Sequence, residues 1–108
     1  MKEKLKELLE KLREKNSADY NKVKEIIYGL KTERVKLIGN DLRQALGRPR
    51  NEAETKEKIV SAVESLNIIA KRNGVDVEFS ENFDLIEKFL RTTIMEDLGK
   101  EFENQKNQ

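Results

Sequence analysis

An all-α fold, a helical bundle of about four helices with an extended connection before the last, is what this 108-residue chain predicts. Three observations carry it. Apolar residues recur at three- and four-residue steps in four separate stretches, the spacing that lines up side chains on one face of a helix. The single proline and the clearest glycine and asparagine breaks fall between those stretches. Only one segment, 75–79, alternates apolar and polar residues with the period of a strand, and it has no second strand to pair with.

The first helix is expected at roughly 2–15. Its sequence, MKEKLKELLEKLREK, is built almost wholly from lysine, glutamate, leucine and arginine, which are strong helix formers. Leu5, Leu8, Leu9 and Leu12 form a stripe about two turns long, and Glu7 with Lys11 is an i,i+4 pair in the better orientation. So short a helix is marginal alone in water, so the leucines must dock. They dock on the chain's own bundle or they make an oligomerisation surface; Leu5, Leu8 and Leu12 are the association candidates here. The low-complexity run resembles the idealised helices of designed proteins, so a de novo or engineered bundle with no evolved function is among the expectations.

A second helix follows at roughly 18–46, with Ser17 as its expected cap. Its apolar residues are Tyr20, Val23, Ile27, Leu30, Leu37, Ile38, Leu42 and Ala45. Gly29 and Gly39-Asn40-Asp41 argue for breaks, but the four-residue step from Ile38 to Leu42 keeps phase across Gly39. One helix of about 44 Å, bent or straight, is therefore expected. Arg34 and Asp41 lie beside the stripe, seven residues apart and unable to bond each other; solvated flanks are the expectation.

Gly47 suits a left-handed helix stop and Pro49 blocks simple continuation. The third helix, 51–73, opens on Asn51 with Glu54 in a capping-box arrangement. A turn this short makes it an antiparallel neighbour of the second. Ile59, Ala62, Val63, Leu66 and Ala70 form its face, widened by Val60, Ile68 and Ile69. Asn67 lies among them, either fixing register or sitting on the rim.

After Asn73-Gly74, Val75, Val77 and Phe79 alternate with Asp76, Glu78 and Ser80. The segment either rests its apolar side on the bundle or pairs with a copy or partner, which makes Val75, Val77 and Phe79 the other association candidates. The last helix, 81–103, is capped by Ser80 and carries Phe83, Ile86, Leu90, Ile94, Leu98 and Phe102 on one face. Leu85, Phe89 and Met95 widen that face enough for several neighbours. Residues 103–108 are expected to fray, so one domain spans 1–108.

Composition narrows function by subtraction. The chain has no cysteine, histidine or tryptophan, which removes thiol chemistry, the usual neutral-pH base and the usual nitrogen metal ligand. No glycine-rich phosphate loop and no EF-hand spacing occur, so neither catalysis, cofactor, metal nor small-molecule ligand is expected. Charged residues make up 40% with a net charge of only +1, so both signs are interspersed. No stretch approaches the roughly 20 apolar residues of a membrane span, and a reducing, cytoplasmic setting is the default expectation. The best local basic signal is Arg43, Arg48 and Arg50 around the turn between the second and third helices, suited to phosphate contact. The leading expectation is a non-catalytic bundle acting through protein–protein or self-association or as a scaffold; the alternative is a small nucleic-acid-binding accessory protein using that turn.

Overall fold

A computed structural model describes residues 2–47 and 53–92. These form four α-helices: α1 (Lys2–Lys15), α2 (Ser17–Ala45), α3 (Ala53–Arg72) and α4 (Phe83–Thr92). There is no strand among the described residues. The all-α bundle predicted from periodicity is the observed architecture, with an extended connection between α3 and α4.

Leu5, Leu8, Leu9 and Leu12 are fully buried, so the α1 stripe packs into the chain's own core. On the wet side Lys11 pairs with Glu7 at 3.0 Å. A single residue, Asn16, separates α1 from α2. Asn16, not Ser17, is the α2 cap: its backbone is extended (φ −154°, ψ 94°) and its Oδ1 accepts from the Asp19 N–H at 3.1 Å. Ser17 already belongs to the helix, and an asparagine side chain caps at least as well as a serine. The chain then doubles back, so that the Lys15 ammonium reaches the Asn73 carbonyl and the Lys4 ammonium the Glu78 carbonyl at 2.8 Å.

Helix α2 runs unbroken through Gly29 and Gly39 for 29 residues. At 1.5 Å per residue it is about 43 Å long, whereas the 14 residues of α1 reach only about 21 Å. The first helix therefore cannot cover the second half of α2. That half meets α4 instead: Arg34 Nε donates to the Leu90 carbonyl at 2.6 Å, and Arg91 forms an ion pair with Asp41. Neither Arg34 nor Asp41 is a free solvated flank. Asp41, with Glu87 behind it, raises the Arg91 pKa above its ordinary value, against the opposing effect of burial.

Helix α3 returns along α2, with Ile59, Val63, Leu66, Ile69 and Ala70 inward and Ile68 exposed. At its end Gly74 takes φ +69°, and Gly47 takes φ +72° after α2, the left-handed stops that glycine makes at little steric cost. Asn51 and its capping box lie outside the described residues. The connection sends Val75 and Phe79 into the core, leaves Val77 half-buried and turns Asp76, Glu78 and Ser80 to solvent. No neighbouring strand is needed, because Asn67 substitutes for one. Its Nδ2 donates to the Phe79 carbonyl at 2.9 Å while its Oδ1 accepts from the Phe79 N–H at 2.7 Å, satisfying both backbone groups. Asn67 thus fixes the connection rather than decorating a rim.

Helix α4 starts two residues later than expected, with Asn82 as its cap: Asn82 Oδ1 accepts from the Asp84 N–H at 3.0 Å, while Ser80 Oγ only receives the Asn82 N–H at 3.2 Å. Ile86 and Leu90 are fully buried, Phe83 and Phe89 are half-buried, and Leu85 is exposed. Ile94, Met95, Leu98 and Phe102, and the expected fraying tail, lie outside the described residues.

A polar clamp closes the other end. The buried Asp19 carboxylate accepts from Asn73 Nδ2 at 2.7 Å, from Arg72 at 2.6 and 3.2 Å and from Asn16 Nδ2 at 3.0 Å. Asn73 also donates to the Ile69 carbonyl and accepts from Asn16, so the α1–α2 corner is tied to the end of α3. The Asn73 hydrogen bond, then the Arg72 hydrogen bond and charge, hold the Asp19 pKa below the ordinary aspartate value against the effect of burial. A carboxyl depressed in the folded state stabilises fully above its unfolded pKa, and that contribution is lost as pH falls through the folded value. Urea midpoints are therefore expected to fall on acidification below about pH 4, with a smaller acid-dependent loss in Asp19→Asn. An equally steep loss in that variant would assign the acid sensitivity to other carboxylates.

Candidate interaction surface

Seen down its axis, α2 has two apolar faces. Val23, Ile27, Leu30 and Leu37 turn inward and are buried. On the far side Tyr28 is 64% exposed, Val35 60%, Leu42 68% and Leu46 72%, with Ile38 at the edge, 44% exposed. At roughly 100° per residue, Tyr28, Val35, Leu42 and Leu46 fall within about 40° of one another, opposite the core stripe. The line is about 27 Å long.

Tyr28, Val35 and Leu42 stand seven residues apart, the repeat with which helices pair. Gly39 lies on the same face, and a Cβ built there meets nothing within 4 Å. Glycine within an exposed helix weakens it by roughly 0.5–1 kcal/mol relative to alanine, and no internal packing accounts for this one. Around the line lie charged residues. Lys31 sits on one edge and Lys24 at the bearing of Leu42, one turn before the line begins, their ammoniums 5.8 Å and 5.3 Å from the ring centres of Tyr28 and Tyr20. The exposed Glu25 and Arg43 share the other edge, five helical turns apart.

Ile38, Leu42 and Ala45, read from the sequence as part of one apolar stripe with Val23, Ile27, Leu30 and Leu37, do not share its burial: all three are exposed. The four-residue step from Ile38 to Leu42 does keep helical phase, but it belongs to the outer face. The inner face continues from Leu37 to Asn40, which is 1% exposed and has neither polar atom of its amide hydrogen-bonded among the described residues. The sequence signal for the outer face was the heptad of Tyr28, Val35 and Leu42, hidden because an α-helix with two apolar faces blurs any single stripe.

The association candidates named from sequence are mostly interior. Leu5, Leu8 and Leu12 are 0% exposed, Val75 and Phe79 are buried, and only Val77 is half-buried. A side chain already packed inside its own bundle presents no surface to a partner. Of the three arginines, Arg43 is exposed on the last turn of α2, while Arg48 and Arg50 lie outside the described residues. A groove of about 820 Å³ runs along the connection, lined by Lys4, Asn67, Lys71 and residues 75–81. Its Lys4 and Asn67 side chains are engaged with the Glu78 and Phe79 backbone, so they hold the connection in place. Among the described residues no helix is long and apolar enough to cross a membrane. No family model matches the chain, and no curated protein or solved structure gives a significant match.

Proposed function

We propose that this protein is a non-catalytic helical scaffold that works by binding a protein chain through the outer face of α2. The observation that supports it is the line of Tyr28, Val35, Leu42 and Leu46, each more than half exposed on one helix whose opposite face builds the core. A line of large apolar side chains left in water along one helix marks a contact surface. The bundle supplies rigidity, since α1, α3 and α4 all brace α2 from behind.

A photo-crosslinking amino acid placed at position 35, in cells producing the full chain, tests this. A discrete protein adduct is expected, one that disappears when Leu42→Glu is added and does not form when the probe replaces the exposed Glu10. No adduct at position 35, or equal adducts at both positions, would remove the basis for this function.

A further inference from the structure

We infer that the partner of the α2 outer face is a second copy of this chain, paired antiparallel about a twofold axis near Val35. The inference rests on the association surface proposed above and identifies what covers it. The heptad places Val35 midway between Tyr28 and Leu42, so a twofold axis there sets Val35 against Val35 and each Tyr28 against the Leu42 of the other copy. Gly39 lies beside the axis, where the lack of a Cβ lets two backbones approach closely.

Charge selects the direction. Glu25 and Arg43 occupy one edge of the face, ten residues before and eight residues after Val35. Antiparallel pairing brings Glu25 of each copy within about two residues of the level of Arg43 on the other, giving two symmetric opposite-charge pairs; Lys36 on the same edge meets Lys36 of the other copy beside the axis, each already ion-paired to its own Glu33 at 3.3 Å. Parallel pairing instead directs Lys31 of one copy toward Lys36 of the other, because opposite edges then meet at an offset of about five residues. Complementary charge at the edges sets orientation, while the apolar line supplies the contact. Four apolar side chains per copy, each more than half exposed, make a contact at the small end of specific interfaces. A concentration-dependent dimer is the form this takes.

Sedimentation equilibrium on the purified full chain from about 1 µM to about 1 mM tests the inference. The expected mass rises from 12.6 kDa toward twice that value. Val35→Glu and Leu42→Glu are expected to weaken pairing by about a hundredfold or more while leaving the helical circular dichroism and melting temperature close to wild type, because both side chains are exposed. Glu25→Arg is expected to weaken pairing about threefold, and Glu25→Arg with Arg43→Glu to restore it. A wild-type chain that stays at 12.6 kDa throughout, or Val35→Glu and Leu42→Glu variants that pair as well as wild type, would overturn self-pairing. A charge swap that fails to restore the affinity overturns the antiparallel arrangement. A monomer whose position 35 still crosslinks a different protein sinks the second copy as partner and leaves the association surface standing; a monomer without an adduct sinks both.

Discussion

Phe79→Ala is expected to cost about 3–5 kcal/mol of folding stability, the range for deleting a large buried aromatic. Phe79 is 2% exposed and is the largest of the fully buried side chains among the described residues, yet it belongs to no helix. Its backbone is held on both sides by the Asn67 amide, so the chain cannot slide inward to fill the space that the ring leaves. A site that cannot collapse keeps its cavity, and cavity cost rises with volume. Against a total stability of about 5–15 kcal/mol for a domain, the variant sits near the edge of folding at room temperature. Urea unfolding followed by circular dichroism measures it, with the exposed neighbour Glu78→Ala as the control, expected within about 0.5 kcal/mol of wild type. A Phe79→Ala loss below about 1 kcal/mol would mean that the connection does not anchor the core.

Leu9→Ala is the second large effect, about 2–5 kcal/mol, and it has a local signature. Helix α1 has only 14 residues, a length at which an isolated helix is marginal in water even in a good sequence. What keeps it helical is the burial of Leu5, Leu8, Leu9 and Leu12, all at 0% exposure, together with the two lysine contacts to the connection. Deleting most of one leucine removes a large share of that packing. Hydrogen exchange is therefore expected to speed up first in α1 and only later in α3, which is braced by α2 and α4. Uniform acceleration across α1 and α3 would show instead that the bundle opens as one unit.

Much of this architecture is legible in the residues themselves. The helix stretches follow from three- and four-residue apolar spacing, and the stops at Gly47 and Asn73-Gly74 from the left-handed backbone that glycine accepts. The caps were displaced because asparagine and serine compete for the same role: Asn16 beats Ser17, and Asn82 beats Ser80, and only the backbone dihedrals and the reach of each side chain decide. A one-dimensional string does not distinguish a leucine stripe that packs into its own bundle from one that faces a partner, or a solvating arginine from one that binds. Burial separates them: the leucines are core, and of the arginines Arg43 alone falls within the described residues.

By itself, the sequence determined that the chain is helical and where glycine stops its helices, since periodicity and glycine's backbone freedom are local properties. The tertiary structure decided which of two apolar faces on α2 is the interior. That choice depends on lengths and partners: α1 is too short to cover α2, so α4 closes the second half, through Arg34 and Asp41, on the side of Leu37. The face carrying Tyr28, Val35, Leu42 and Leu46 is left outside, because a helix braced on one side by three others has only the opposite side to offer.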